Sequence, residues 1–559
     1  MTNFAQQLLQ NYRDVPDKTA VTLLLSGQED QPISYRSLIE GAAGWQAAYA
    51  RAGVQSGEVV VLILQHGLDL IHAYWGAILQ GAIPSIMPFL TEKLQPDRYR
   101  ADLTALVSIT RPECLVTYRE FEGEVRQVLI PDSSVRAVIL AEDVHSISAP
   151  DLSNVRGLMR APEDIVLLQH SSGTTGLQKG VALSHQAVFN QLHAYSKTLL
   201  LAENDVIVSW LPLYHDMGLI AGFLMPILLR VPLVLLSPFD WVRAPYRLMQ
   251  AVSRYHGTLS WLPNFAYNFC AQKIRDRDLA GVDLSTWRAI SNCSEPMRYA
   301  SHQAFYERFA PYGVKESALC TCYAMAENVF AVTQGGIDSP VQVDEIDREA
   351  MQVEKLARPA IPGRPSVKML STGSAIVNTQ VKIVDEHHHD VPDRVIGEVA
   401  LKSDCMLTEY YHRPDATAKA FTHGWYLTGD YGYKVGDQVY VAGRKKEMII
   451  VGGKNVYPMD LEELAMTVPG VHAGRVVAFG VFNEESGTEE VVLVAEVETK
   501  SPEEREQIAD SIRQTVTRGS AIALRHVYLV DRKWLIKTSS GKNARTANRE
   551  KYLKEIEEK

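Results

Sequence analysis

The chain has 559 residues, 46% hydrophobic and 22% charged, with a formal net charge of -10. That length exceeds one hydrophobic core and predicts two or three domains of ordinary globular composition. The acidic balance argues against non-specific nucleic-acid binding, although a locally basic site for an anionic substrate is compatible with it. Six cysteines (Cys114, Cys270, Cys293, Cys320, Cys322, Cys405) form no C-x-x-C pair and no repeated spacing. Neither a disulfide framework nor a zinc site is expected, and a reducing cytoplasm is the expected setting. The first residues, MTNFAQQLLQNYRDVPD, carry no basic stretch followed by an apolar one, so no secretory signal is expected.

Along the chain, helix-length segments at 35–52 and 68–81 alternate with short apolar runs at 59–64, 113–118, 164–170, 205–210, 232–237 and 257–263. Continuous rather than alternating hydrophobicity predicts strands covered on both faces, hence parallel α/β layers. Residues 217–236 approach membrane-span length, but Pro226, Arg230 and Pro232 interrupt them. A buried helix followed by a buried strand is the better reading, with no transmembrane segment. Cys320 and Cys322 lie in a short apolar run that reads as a buried strand rather than a redox pair.

After about residue 375, QVKIVDEHHHDVPDRVIGEVAL reads as two strands joined by a polar turn. Three consecutive histidines, His387 to His389, cannot all face one ion on a short hairpin, so a solvated loop is expected. From about Gly443 the pattern changes again: a basic segment, a helix from Met459, a strand pair, a charged helix, a strand and a terminal helix. This predicts a small α+β domain over 443–559 after a large layered α/β domain, with a β-rich subdomain, over 1–442. Residues 335–367 are polar and bear four prolines, which suits a surface excursion rather than a core element.

The chemistry concentrates in five places. Residues 168–180, LQHSSGTTGLQKG, follow a buried strand. Their glycines would let the backbone approach a polyphosphate, hydroxyls and N–H groups would donate to it, and Lys179 would add charge. The Walker A spacing is absent. The other four are Ser291 to Pro296, Tyr323 to Glu327, Gly424 to Asp430 running into Gly443-Arg444-Lys445-Lys446-Glu447, and Lys537 to Lys542.

This set, in this order, resembles the superfamily of acyl-CoA synthetases, peptide-synthetase adenylation domains and luciferases, and most closely its fatty acyl-AMP ligase branch. The branch-level features are Leu211 to Leu219, Pro263-Asn-Phe-Ala266, Ser294-Glu295-Pro296 and Asn455-Val-Tyr-Pro458 before Leu461-Glu462. The resemblance implies that 171–180, with Ser171, Ser172, Gly173, Thr174, Thr175, Gly176 and Lys179, hold the β- and γ-phosphates of ATP. It implies that Ser294, Glu295, Pro296 and Tyr323 bracket the adenine, and that Asp430 and Arg444 hold the ribose. Glu327 would ligate Mg²⁺, Lys542 would bridge carboxylate and α-phosphate, and Lys446 would be the hinge of a mobile small domain. His215, Asp216, Met217 and Gly218 would shape the mouth of the acyl pocket. The sequence departs from the family's usual residues at Gln178, Glu447 and Cys293-Ser294.

The reaction needs these types. A carboxylate approaching an α-phosphate brings two anions together, so a cation such as Lys542 must stand between them. Pyrophosphate departs when its charge is neutralised, as Mg²⁺ on Glu327 and the 171–180 donors would do. The resemblance implies a fatty acid as substrate and the phosphopantetheine thiol of an acyl carrier protein as acceptor, with 335–367 as the segment that restrains the small domain. An acyl-CoA synthetase using free CoA and a non-catalytic nucleotide-binding protein are the alternatives.

Overall fold

The computed structural model describes residues 3–89, 96–129, 133–171, 179–451, 454–483, 488–520, 522, 524, 526–538 and 541–558. Two large sheets carry the first part of the chain. One has the strand order Ser374–Ala375, Ala331–Gly335, Leu319–Ala324, Ala289–Cys293, Leu259–Pro263, Ile207–Ser209, Leu233–Leu236, Thr19–Leu24, Gln31–Ser34. The other runs Glu409–Tyr410, Lys179–Ser184, Ile165–Ser171, Ile83–Ile86, Val59–Leu62, Cys114–Thr117, Ala137–Leu140. Their central strands pair in parallel; both edges of the first sheet and the Glu409–Tyr410 edge of the second close antiparallel, while Ala137–Leu140 pairs in parallel at the other edge. Every residue of Val59–Leu62, Leu233–Leu236 and Leu259–Pro263 is buried, as strands covered on both faces require.

Helices pack between and around the sheets with local caps that the sequence supplies. Ser34 accepts from Ser37 N–H to start Tyr35–Arg51, and Ser184 accepts from Ala187 N–H to start His185–Thr198. Tyr35–Arg51 lies against Leu68–Gln80. Residues 217–236 fold as a π-helix, Met217–Leu224, an α-helix, Met225–Leu229, and the strand Leu233–Leu236. Arg230 stops the helix in the left-handed region at φ 64°, and its guanidinium reaches back to Asn11 Oδ1 at 2.7 Å. Among the described residues no helix is long and apolar enough to cross a membrane.

Thr379–Val384, Gly397–Ser403, Trp425–Val435 and Gln438–Arg444 form an antiparallel sheet, and His387 to His389 are exposed in its first turn. Beyond it, Val471–Asn483, Thr488–Val497 and His526–Val530 make a three-stranded sheet. Alternation sorts its two faces. Val476 and Ala478 join Leu461, Ala465, Ile512 and Val516 from the helices Pro458–Met466 and Pro502–Ser520. Val477 and Phe479 join Tyr552 from Arg545–Glu557. All six cysteines are buried free thiols, with Cys320 and Cys322 in Leu319–Ala324.

The structure corrects the reading of 335–367 as a surface excursion. Val343–Asp347 pairs antiparallel with Ser366–Leu370, and a π-helical turn, Ala350–Glu354, lies between them. Ile346, Met351 and Ala357 are buried in one cluster with Ile396, Tyr433, Tyr440 and Tyr457. Asp344 accepts from Arg394 Nη1 and from Tyr433 OH, each at 3.0 Å. The four prolines and most of the charges lie on the outer side of a packed element, whereas Asp344 and Asp347 turn inward.

Candidate active site

The wall that carries the candidate nucleotide residues is built from strands and the turns that follow them. Asp430, within Trp425–Val435, is buried, and Tyr323 OH donates to its Oδ2 at 2.6 Å. Arg444 Nε lies 3.3 Å from the other oxygen, and Thr428 Oγ1 accepts from Asp430 N–H at 3.0 Å. Burial pushes the Asp430 carboxyl up, and the Arg444 charge opposes that rise. Tyr323 therefore fixes the carboxylate expected at the ribose, a positioning role beside the adenine contact that the resemblance implies.

Glu327 sits in a short 3₁₀ turn directly after Leu319–Ala324. Tyr410 OH donates to Glu327 Oε1 at 2.9 Å and lies 3.0 Å from Tyr426 OH. Lys179 Nζ stands 4.5 Å from the centroid of the Tyr410 ring. The end of the glycine-rich segment and the candidate metal carboxylate thus share one tyrosine. Residues 172–178 lie outside the described residues, as does the side chain of Ser171. His170, next to them, is held neutral by burial, its pKa pushed down to about 4, with Nε2 2.5 Å from Ser85 Oγ. Among the described residues no group of three His, Cys, Asp or Glu could cage a metal. A single carboxylate fits Mg²⁺, which is commonly held by one or two carboxylates together with waters and substrate phosphates.

The candidate adenine segment begins at Ser294, which takes the left-handed φ of 68° that non-glycine residues rarely adopt. Its Oγ contacts Met217 Sδ at 3.8 Å, joining this segment to the candidate acyl mouth. Glu295 Oε2 accepts from Phe265 N–H at 2.9 Å. Asp216 begins the π-helix, accepting from Met217 N–H at 2.8 Å, with His215 Nδ1 2.5 Å from the same oxygen. A Cβ at Gly218 would fall 2.2 Å from the Pro212 carbonyl oxygen, so this tight turn requires glycine. Burial alone would raise the Asp216 carboxyl, but His215, Met217 N–H and the Lys542 charge outweigh it and hold it low. Lys542 thus lies within electrostatic reach of the mouth. Its turn is closed by Thr538 N–H donating to the Lys542 carbonyl at 2.7 Å and Gly541 N–H donating to the Thr538 carbonyl at 2.9 Å.

At the candidate hinge, neighbouring residues are tied to different bodies. Lys445 Nζ is 2.9 Å from Glu398, whose other oxygen accepts from Gly429 N–H at 3.0 Å. Glu447 is 3.2 Å from Arg545 Nε, and Arg545 also pairs with the buried Glu462. Lys446 is the residue between the two attachments.

Residues 8–411 match the family model described as AMP-binding enzyme. The chain belongs to that family. A long-chain-fatty-acid–AMP ligase, FadD26, of Mycobacterium bovis is 27% identical over 96% of this chain and 98% of its own. A medium-chain-fatty-acid–[acyl-carrier-protein] ligase, JamA, of Moorena producens is 27% identical over 96% and 92%. A provisionally named acyl-CoA synthetase of Caulobacter vibrioides is 27% identical over 95% and 92%. Among solved structures, a Legionella pneumophila fatty acyl-adenylate ligase in complex with acyl adenylate and pyrophosphate is 26% identical, with TM-score 0.74 over 99% and 96%. A chain from work on the E. coli and L. pneumophila fatty acyl-adenylate ligases superposes with TM-score 0.90 at 24% identity, over 100% and 98%, and shares the fold.

Members of this family are read from short motifs, and some of the site's residues lie outside them. Tyr410 and Glu398 carry no motif in the sequence. Tyr426 stands inside the Gly424 to Asp430 motif, so proximity was the available signal. Glu398 had none, because a lone glutamate in a strand is ordinary.

Proposed function

We propose that the protein converts a fatty acid and ATP to acyl-AMP and pyrophosphate, and then passes the acyl group to the phosphopantetheine thiol of an acyl carrier protein. In the first step a carboxylate oxygen bonds to the α-phosphorus and the bond to the β-phosphate bridge oxygen breaks. In the second, the thiol sulfur bonds to the acyl carbon, the bond to the AMP oxygen breaks, and the thiol proton leaves. The observation that carries this reading is the pair of carboxylates held by tyrosine hydroxyls, Asp430 by Tyr323 and Glu327 by Tyr410, with Lys179 over the Tyr410 ring.

In this reading Asp430 and Arg444 bind the ribose hydroxyls while Tyr323 orients Asp430. Lys542 offsets the charge of the two approaching anions. Glu327, oriented by Tyr410, would hold Mg²⁺, which supplies neutralisation of the departing pyrophosphate when bound. Residues 171–180 would donate to the β- and γ-phosphates. The half-buried His215–Asp216 pair shapes the mouth and needs no proton transfer, since no enzyme nucleophile is involved. Residues 1–442 act as the adenylating body and 443–559 as the moving one. Lys446 is the pivot, because Lys445 stays with Glu398 and Glu447 travels with Arg545.

The carrier-protein acceptor is supported by the name of the Moorena relative and by one contact. Asn455 Nδ2 donates to the Gln352 carbonyl at 3.2 Å, so the 350–354 turn touches the segment just beyond the pivot and favours the adenylating orientation. The Caulobacter name favours free CoA as a second reading. The six buried thiols suit a reducing cytoplasm. Incubation with Mg-ATP and a series of fatty acids, read by mass spectrometry, tests the first step; acyl-AMP is expected. Adding CoA or a holo carrier protein side by side tests the second, and thioester on CoA alone would replace the carrier-protein reading.

A further inference from the structure

Outside the residues already assigned, a half-buried charge cluster joins the two bodies. Arg298 Nη1 lies 2.9 Å from Asp460 Oδ1 and 3.3 Å from Glu463. The Arg298 and Asp460 side chains are only 19% and 11% exposed. Arg298 follows the adenine segment by two residues, while Asp460 lies in the first turn of Pro458–Met466, where the helix dipole favours an acid. At the other end Arg298 is anchored through its backbone: Asn264 Oδ1 accepts from Arg298 N–H at 3.1 Å and from Asn292 Nδ2 at 3.0 Å. With Glu295 accepting from Phe265 N–H, residues 292–298 are locked to the start of the helix Asn264–Lys273. The guanidinium is therefore a rigid extension of the adenine segment, seated against the small body.

We infer that Arg298 and Asp460 form the latch that sets the small body in the adenylating orientation, placing Lys542 at the acyl mouth. They are positioning residues, touching neither substrate in this account, and the inference rests on the proposed acyl-AMP chemistry. A half-buried guanidinium with two carboxylate partners loses favourable pairing when the bodies separate, so the latch resists rotation. Its contribution falls on the first half-reaction, because only that half-reaction needs Lys542 at the mouth.

The test is acid-dependent ATP–pyrophosphate exchange by the full chain and by Arg298→Gln, by the paired Asp460→Asn/Glu463→Gln, and by the charge exchange Arg298→Asp/Asp460→Arg. The first two are expected to lower the exchange rate by about three- to thirtyfold, the range in which directly paired residues couple. The KM for ATP should stay unchanged, because the adenine segment keeps its Asn264 and Phe265 anchors. Thiol transfer from supplied acyl-AMP should be as fast or faster, and the charge exchange should recover part of the rate. Thermal unfolding of each variant identifies any that is misfolded, and the paired carboxylate variant then carries the test. Full exchange by folded variants, or a raised KM at unchanged rate, would overturn the latch. Absence of acid-dependent exchange in the unaltered protein would instead remove the acyl-AMP reading beneath it.

Discussion

The two sides of the proposed active centre are built differently. On the large body, Asp430 stands mid-strand and Glu327 in the turn after a strand, each fixed by a tyrosine hydroxyl within 2.9 Å. On the small body, Lys542 rides on a turn closed by its own backbone hydrogen bonds, and what anchors that turn is Arg545, three residues on, paired to Glu447 and Glu462. One wall is held by side-chain hydrogen bonds across strands; the other carries its lysine on a turn. In the proposed reading, nucleotide affinity would reside in the fixed wall and rate in the lysine, so the two should be separable.

The separation is tested most severely at Lys542. Lys542→Ala is expected to lower acyl-AMP formation by about 10²–10³, the scale of losing one preorganised charge donor. ATP binding, followed by calorimetry, should survive. Next comes the pivot. Lys446→Pro fixes φ near about -65°, so acyl-AMP should accumulate in single-turnover experiments while thioester fails to form. Equal loss of both steps would make Lys446 structural.

Asp430→Asn attacks the other wall. It keeps the shape but removes a charge paired with Arg444, so the KM for ATP should rise by about tenfold, with a smaller change in kcat, consistent with losing a charge-assisted hydrogen bond. A fall in kcat alone would mean that Asp430 acts in the transition state and would blur the distinction between the walls. The smallest effect is on the fold itself. Asp205, buried against Arg288 at 2.7 Å, would be raised by burial, but the Arg288 and Thr258 hydrogen bonds hold it below the usual carboxylate range. Its stabilising contribution is therefore present above about pH 4, the unfolded reference, and is lost as pH falls through the depressed native value. Asp205→Asn should flatten the acid limb of a thermal-stability profile while leaving the exchange reaction at neutral pH intact.

Much of the large body could be read from residues alone. Runs such as 59–64 and 257–263 are apolar throughout because both faces of a parallel sheet are covered, and that leaves a mark in the sequence. The candidate site's motifs stand out in the sequence for a similar reason: clustered glycines, carboxylates and lysines are chemically conspicuous. The 335–367 segment was misread because Ile346, Met351 and Ala357, which face inward, are spaced among prolines and charges that face outward. Deleting it would uncover the cluster around Tyr433 and Tyr457 and destabilise the fold, rather than simply releasing the small body. Arg298 and Asp460 were invisible as a pair because 162 residues separate them and nothing in either neighbourhood names the other.

Exchange of label between pyrophosphate and ATP, with and without fatty acid, bears most directly on the whole account. For the unaltered protein in Mg-ATP, exchange is expected only when a fatty acid is present, and it should collapse in Lys542→Ala although ATP still binds. Exchange that ignores the acid across a range of chain lengths, or that persists at full rate in a folded Lys542→Ala protein, would contradict the assignment of this centre to acyl-AMP formation.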